Sequence, residues 1–216
     1  MAYIGQKPAN KPVEGSDISS TVITGQTALS TAPADTDEFL ISDAGTLKRI
    51  DASLVVGGGK VNQVIQTVKT DTFSSASGTL TDITGMSAVI TPTASDSKVL
   101  VMVNMNVSVS MANRWANFQL LRGSTAISLG DASGSRTRGS FFMALITGSG
   151  ELNDIEHKSL CFLDSPSTTS ATTYKMQGMV QTDSSPSFLV NRSSNDADAS
   201  YGGRPASSIT LMEILA

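Results

Sequence analysis

The chain has 216 residues, of which 39% are hydrophobic and 16% charged, and its formal net charge is −4. This hydrophobic content excludes intrinsic disorder, which needs few apolar residues and a high net charge. The length suffices for one large domain or for one domain plus an appendage. An acidic chain is a poor nucleic-acid binder, because contacts of Lys and Arg with phosphates dominate that affinity. No apolar run approaches the length of a membrane span and the N-terminus lacks a signal-peptide core, so we expect neither nucleic acid nor membrane insertion.

Residues 1–59 have the composition of an attachment segment. Prolines and glycines punctuate the first 33 residues, and the larger apolar residues are too sparse for a core: Tyr3, Ile4, Ile18, Val22 and Ile23. We expect an extended arm that lies on a partner, then a small hairpin over residues 37–50 and one short helix starting at Asp51. Three consecutive glycines at 57–59 predict a hinge, which places the domain boundary between residues 59 and 60.

The strongest strand pattern lies at Lys98–Met111, KVLVMVNMNVSVSM. Valine or methionine occupies every second position from Val99 onward, and polar residues dominate the alternate positions. Because successive side chains of a strand point to opposite faces, the pattern predicts one buried and one largely polar face. Leu100 and Met102 interrupt the polar face, so we expect a second surface, either a neighbouring sheet or another subunit, to cover that half of the strand.

Strand patterns separated by turn clusters fill the rest of residues 60–216. The predicted strands are Val61–Lys69, Leu80–Ile83, Ser87–Thr91, Arg114–Arg122, Thr125–Leu129, Ser140–Ile146, Lys158–Leu163, Thr172–Gln181, Ser187–Val190 and Ser208–Leu215. About ten strands, with no amphipathic helix and no repeat of fixed period, predict an all-β domain. We interpret it as an antiparallel, jelly-roll-like β-sandwich.

Candidate catalytic and metal-binding residues are few. His157 and Cys161 are the only histidine and the only cysteine. A lone histidine among many serines does not define a nucleophile with its base, so we expect an exposed loop histidine. Cys161 alternates with Leu160 and Phe162, which predicts a small residue of the core. One histidine and one cysteine leave no ligand set for zinc, so we expect no catalytic residue, metal or cofactor.

Two acidic patterns resemble functional sites. Cleavage of polysaccharide needs two carboxylates across the scissile bond, and the candidates in or near loops are Asp131, Glu151, Asp154, Glu156 and Asp164. Their spacing does not distinguish them from solvated turn residues. The segment Asp196–Gly202 places oxygens at alternate positions, as a calcium loop does, but it lacks the glycine at position six and has Ser207 instead of an acid at position twelve.

The remaining motifs predict structure more readily than function. Gly57–Lys60 lacks both the first glycine of a phosphate-binding loop and a hydroxyl residue after the lysine. Arg136 and Arg138 suit an acidic sugar or an acidic neighbour, since arginine forks match carboxylates. Aromatic residues make up 5% of the chain, which argues against a stacked aromatic platform for sugars, and Trp115 is interpreted as core filling. The formal glycosylation triplets are Asn106–Ser108 and Asn191–Ser193.

Two regions resemble bacteriophage virion proteins, in particular the short tail fibres of short-tailed phages (podoviruses) from marine hosts. The first comprises MAYIGQKPA at residues 1–9 and TALSTAPADTDEFLISDAGTLKRIDASLV at residues 27–55. The second comprises three phrases of the C-terminal domain: LTDITGMSAVITPTASDSKVLVMVNMNVSVS, FQLLRGSTAISLGDASGSRTR and PASSITLMEILA. The chain departs from long fibres in having no extended coiled-coil or β-helical shaft.

The resemblance implies a non-enzymatic virion structural protein. It implies a homotrimer whose residues 1–59 dock on another virion protein, such as a tail adaptor, and whose β-sandwich faces a glycan or protein of the host surface. A capsid decoration or head-fibre protein is the alternative, and a polysaccharide depolymerase is less favoured. Candidate loops for the distal tip are Gly130–Gly139, Gly148–His157 and Ser193–Pro205.

Overall fold

The structure, a computed structural model, describes residues 33–34, 36–44, 46–55, 60–145 and 153–216. It divides the chain into two compact units, Met1–Gly57 and Gly58–Ala216. The expected arm over residues 1–32 and the glycines at 57–59 lie outside the described residues. In the part of the chain that is described, no helix has the length and apolar character needed to cross a membrane.

The first unit contains the predicted hairpin. Strands β1 (Glu38–Asp43) and β2 (Thr46–Asp51) pair antiparallel, and the one-turn helix α1 (Ala52–Val55) follows directly. Ala44 opens the turn with a φ of 49°, in the left-handed region that a tight reversal requires. The hairpin and the short helix are therefore confirmed.

The described residues of the second unit form eleven strands. They are β3 (Val61–Lys69), β4 (Phe73–Ser75), β5 (Thr81–Ile90), β6 (Lys98–Val109), β7 (Arg114–Arg122), β8 (Thr125–Ile127), β9 (Phe141–Leu145), β10 (Glu156–Asp164), β11 (Thr172–Val180), β12 (Phe188–Val190) and β13 (Ser207–Ile214). All pairings are antiparallel and form two sheets. We call the sheet with the order β3–β13–β6–β10 the first sheet, and the sheet with the order β5–β11–β7–β9 the second sheet.

The strand order is that of a jelly roll. The pairs β3·β13, β5·β11, β6·β10 and β7·β9 are nested along the chain, as in one long hairpin of paired strands that has been rolled up. The pairings β13·β6 and β11·β7 then close the two sheets. The short strands β12 and β4 extend the first sheet, and β8 pairs with the end of β7 beside β9. The predicted antiparallel sandwich of jelly-roll type is confirmed.

The core lies between the two sheets and is organised around β6. Its inward side chains are completely buried: Val99, Val101, Val103, Met105, Val107 and Val109. Phe118 of the second sheet stacks on Phe141 and meets the edge of Phe188 from the first sheet. Gly178 makes room for these rings, since a Cβ there would lie 2.9 Å from Phe188 and 3.1 Å from Phe118.

A polar cluster also joins the two sheets at one end of the core. The buried Asp164 carboxylate of β10 accepts two hydrogen bonds from Arg122 Nη1, at 3.0 and 2.9 Å, and one from the Tyr174 hydroxyl at 2.6 Å. Burial, together with the hydrogen bond to Asp164, raises the pKa of Tyr174, so its hydroxyl stays protonated and remains a donor. Each charged group thus has a partner, which makes the burial of Asp164 tolerable.

Three details of the strand predictions were wrong. β6 ends at Val109 rather than Met111, although the Ser110 N–H still donates to the Ser187 carbonyl next to the last paired residues, Val109 and Phe188. The two strands predicted at 80–83 and 87–91 are one strand, β5, which is interrupted by a bulge at Gly85 with a φ of 83°. The three-residue strand β4 was missed, since Phe73 alone gives no periodicity.

Candidate binding surfaces

The outer face of the first sheet carries an apolar row across all four strands. Leu163 of β10 lies opposite Leu100 of β6, which lies opposite Met212 of β13, which lies opposite Val64 of β3. Leu163 is 50% exposed and Val64 53% exposed, and the two central residues are half-buried. We call these four residues the apolar row. Because Leu100 interrupts the polar face of its strand, the sequence predicted that another surface covers it. In the single chain the apolar row is open to solvent.

Cys161 and Met102 lie directly opposite each other beside the apolar row. Cys161 is exposed, so the prediction that it fills the core was wrong. Leu160 and Phe162 point inward instead and pack against the core. Cys161 does alternate with Leu160 and Phe162, so it points to the opposite face of the strand. The prediction assigned the wrong one of these two faces to the core.

A buried carboxylate supports this sheet from within. Glu213 of β13 is completely buried, and its Oε2 accepts hydrogen bonds from Asn62 at 2.8 Å and Gln63 at 2.7 Å. Its Oε1 accepts two more from the backbone N–H and hydroxyl of Thr93, at 2.6 and 2.8 Å. Burial by itself would raise the pKa of Glu213, but these hydrogen bonds outweigh it and hold the pKa at about 2. The cluster clamps β13 to β3, the two strands that carry Met212 and Val64.

The outer face of the second sheet is mostly polar. Asp82 of β5 accepts hydrogen bonds from Lys175 and Gln177 of β11, at 2.8 and 2.7 Å, and these bonds lower the pKa of Asp82. Next to them, Asn117 and Gln119 of β7 are buried beneath a loop. Most of this face therefore has its own polar partners within the chain.

The loop over residues 130–139 is fastened to this face through its backbone. The Arg138 carbonyl accepts hydrogen bonds from Asn117 Nδ2 at 2.9 Å and Gln119 Nε2 at 2.6 Å. Gly139 lies so close to Asn117 that a Cβ would fall 1.8 Å from Oδ1, so any other residue here would displace the Asn117 amide. These contacts hold the loop against the sheet and fix where Arg136 and Thr137 emerge.

A pocket of about 420 Å³ opens beside this loop. The described residues that line it are Trp115, Ser135, Arg136, Thr137 and Phe142. The Trp115 and Phe142 rings are stacked, with their centroids 5.6 Å apart and an interplanar angle of 23°. Phe142 is 50% exposed and Trp115 is half-buried. The interpretation of Trp115 as core filling was wrong: it lies on the outward parity of β7, and Ala116 and Phe118 take the inward positions.

The predicted arginine pair divides between two roles. Arg138 donates from Nε to the Gly130 carbonyl at 2.6 Å and so closes the loop. Arg136 lines the pocket and is exposed, and its Nη1 donates to the Ser133 hydroxyl at 3.1 Å and to the Ser133 carbonyl at 3.3 Å. Within the described residues its hydrogen-bond partners are neutral oxygens.

The structure does not assemble the other candidates into one site. His157 is exposed as expected, although it lies in β10 rather than in a loop, and its Nδ1 is 3.3 Å from Asn106 Oδ1. Asp164 belongs to the buried cluster, Glu156 pairs with Lys158 at 2.5 Å, and Asp131 and Asp154 are exposed. Glu151 lies outside the described residues. Among the described residues, no three His, Cys, Asp or Glu side chains lie together in a way that could hold a metal ion.

The calcium-loop and glycosylation motifs serve structural contacts. Asp196 pairs with Arg192 and Arg204, and hydrogen bonds from these two guanidinium groups lower the pKa of Asp196. Asn191 is completely buried, and its Nδ2 donates to the Lys69 carbonyl at 2.8 Å, so it is not an accessible glycosylation site. The Asn106 side chain donates to the Ala206 carbonyl at 2.7 Å.

Comparisons with known proteins found structures but no sequence family. No protein-family model matched the chain, and no curated protein did so either. The similar solved structures include the Gt strain of infectious bursal disease virus, with 13% identity over 81% of this chain and a TM-score of 0.36. The VP2 subviral particle of the same virus gave 11% identity over 84% of this chain and a TM-score of 0.33.

These structural matches are partial. The chain spans about two fifths of the length of the viral proteins that it matches, 41% and 43% in the two cases above. TM-scores below 0.5 do not establish a common fold across the aligned region. These likenesses therefore do not define the function of this chain, which depends on the surfaces that it exposes.

Proposed function

We propose that this protein is a non-enzymatic structural component of a phage virion, a short trimeric tail fibre. Residues 1–59 attach it to another virion protein, and the jelly roll contacts the host surface. The resemblance of residues 1–9, of residues 27–55 and of the jelly-roll phrases to phage fibres supports this proposal. The jelly roll is compatible with it, since viral and lectin domains use this architecture, but a fold does not by itself imply a function.

The apolar row carries the proposal. Four apolar side chains aligned across the four long strands of the first sheet form a continuous patch, a feature typical of a protein–protein interface. The occupant that we propose is a second copy of the chain. A three-fold axis near this face brings the apolar rows of the three subunits together. Each row is then covered by the rows of the other two subunits. Burial of a half-exposed Leu or Val side chain adds on the order of 1 kcal/mol per residue.

The oligomeric state tests this proposal with a matched pair of variants. Val64 on edge strand β3 is 53% exposed, and Val89 on edge strand β5 of the second sheet is 51% exposed. We expect wild type and Val89→Asp to have three times the 22.5 kDa chain mass by light scattering. Val64→Asp should give the mass of a single chain, because an aspartate in the apolar row would be desolvated without a partner.

Two results would contradict the trimer. One is a wild-type protein that is monomeric at micromolar concentration. The other is a Val64→Asp protein that keeps the wild-type mass, since the interface then lies elsewhere. Both substitutions affect half-exposed side chains, so each should change the stability of the single chain by no more than about 0.5 kcal/mol.

A capsid decoration or head-fibre protein is the second candidate. It requires the same trimer and the same attached residues 1–59, so the apolar row does not separate the two locations. Labelling intact particles with an antibody against residues 60–216 and imaging them would do so. Label at the tail supports the fibre, and label distributed over the capsid supports the decoration protein.

A further inference from the structure

We propose that the pocket between Trp115, Phe142 and Arg136 binds a sugar that carries a carboxylate, such as a uronic or a sialic acid. This inference deepens the proposed function by naming the class of host ligand. It rests on that function for its biological setting, but the pocket lies within one chain and can be tested without the trimer.

The aromatic pair supplies the first part of a sugar site. Trp115 and Phe142 sit on neighbouring strands β7 and β9, where Trp115 lies opposite Ala144 and Phe142 lies opposite Asn117. Their side chains are thus diagonal neighbours on the outer face and stack on each other. The pair forms a rigid apolar wall with an exposed ring, and the C–H face of a pyranose can pack on such a wall as it does on any flat hydrophobic surface.

The charge of the loop supplies the second part. Arg136 has five donors in a planar fork, and that fork matches a carboxylate with two parallel hydrogen bonds. Its partners among the described residues are the hydroxyl and carbonyl of Ser133, so the guanidinium charge is not offset by a carboxylate there. The whole chain has a net charge of −4, so the attraction for an anion is local to this loop.

The polar atoms between wall and fork complete the site. Ser135 and Thr137 flank Arg136 in the lining, and each carries a hydroxyl that can donate to or accept from a sugar hydroxyl. The loop is held in place by Asn117 and Gln119, so the donors are positioned before a ligand arrives. A volume of about 420 Å³ accommodates one or two sugar rings.

An acidic peptide also carries carboxylates, but the lining favours a saccharide. A peptide would need backbone donors and acceptors or an open strand edge, and the described lining consists of side chains on a face of the sheet. Stacked rings beside hydroxyls and a single arginine match a ring with one carboxylate and several hydroxyls.

The chain provides its own reporter for the test. Trp115 is the only tryptophan, so intrinsic fluorescence reports on this pocket alone. The full-length protein is titrated with trigalacturonate and with sialyllactose, which are two sources of a carboxylate sugar. The methyl ester of trigalacturonate and unsialylated lactose serve as uncharged partners of each probe. We expect saturable changes in Trp115 emission with at least one acidic sugar, and affinity at least about tenfold weaker for its uncharged partner.

Two variants separate charge from stacking. Arg136→Gln should weaken binding of the acidic sugar about tenfold and leave the response to its uncharged partner unchanged. Phe142→Ala should weaken the binding of both the acidic and the uncharged sugars, because it removes one of the two rings of the aromatic wall. Lys98→Gln removes the same charge from the first sheet and should bind like wild type. Arg136 and Lys98 are exposed, so both charge variants should fold.

The outcomes that overturn the proposal are distinct from those that overturn the trimer. No change in emission with either acidic sugar up to about 10 mM contradicts the site, as does equal binding of acid and uncharged partner or full binding by Arg136→Gln. A saturable change in Trp115 emission with an acidic peptide, and none with an acidic sugar, also contradicts the proposed sugar site. A monomeric protein that binds the acidic sugar contradicts the fibre proposal and leaves this site intact, whereas a trimer that binds no sugar does the reverse.

Discussion

The two outer faces of the jelly roll differ although both belong to sheets that bury the same kind of core. On the first sheet the outward positions at Leu163, Leu100, Met212 and Val64 align into one apolar row. On the second sheet the outward positions are mostly polar, Val89 is an isolated exposed apolar residue at the edge, and two aromatic residues gather at a pocket beside a loop. The inward-facing side chains of the strands therefore determine the fold, whereas the outward-facing side chains make the two surfaces different.

The difference also separates two kinds of partner. A flat apolar row gains free energy only when a large surface excludes water from it, which suits another protein subunit. A concave site with stacked rings, hydroxyls and an arginine gains from oriented contacts with a small polar ligand. One face then suits assembly and the other recognition, and three weak recognition sites on one assembly would gain avidity at a surface.

The largest effect is expected from the cluster that joins the two sheets. Asp164→Ala leaves Arg122 without its carboxylate and the buried Tyr174 hydroxyl without its acceptor. We expect a loss of roughly 3–5 kcal/mol in the free energy of unfolding, measured by urea denaturation. Because both faces depend on the same sandwich, assembly and sugar binding should weaken together.

The matched control for this change is Asp198→Ala, which removes an exposed carboxylate and should change stability by no more than about 0.5 kcal/mol. A wild-type stability for Asp164→Ala would show that the buried cluster does not hold the sheets together.

Acidification should weaken the first sheet, which carries the apolar row, before it affects the pocket on the second sheet. The pKa of Glu213 is held at about 2, below its ordinary value of 4.5. Its stabilising contribution is therefore complete above pH 4.5 and is lost as the pH falls towards 2. The difference corresponds to at most about 3 kcal/mol. Because Glu213 clamps β3 to β13, we expect the oligomer to dissociate on acidification before Trp115 emission changes.

Glu213→Gln tests the origin of this pH dependence. The amide keeps the size of the side chain but removes the charge that attracts the four donors, so we expect the free energy of unfolding to fall by about 2 kcal/mol at pH 7. The difference between wild type and variant should shrink in thermal melts as the pH falls from 4.5 towards 2. A constant difference between them at every pH would assign the acid sensitivity to other carboxylates.

Much of this architecture could be predicted from the sequence, because the strands of the core alternate cleanly. The period of two in β6 identified the buried valines, and Leu100 identified an apolar position on the wrong side of the strand. The full row could not be predicted, since aligning Leu100 with Met212 and Leu163 requires the registers of β13 and β10. Registers are set by turns and by packing over the whole sandwich.

The pocket was missed for a related reason. The β7 sequence is apolar on both parities, so its periodicity does not show which side Trp115 takes. Its partner Phe142 lies 27 positions along the chain, and the two rings meet only because β7 and β9 pair. The signal that could have identified the pocket is a pair of aromatic residues on two predicted strands that lie before and after a Gly/Ser-rich loop with arginines.

The rate at which Cys161 reacts with a maleimide reports whether copies of the chain cover the apolar row. This single cysteine is exposed in the isolated chain and lies beside the apolar row, opposite Met102. We predict that wild type and Val89→Asp react at least about tenfold more slowly than Val64→Asp at micromolar concentration, because the interface shields the thiol. Equally fast reaction in all three proteins would show that the row lies open in solution, and it would contradict the account.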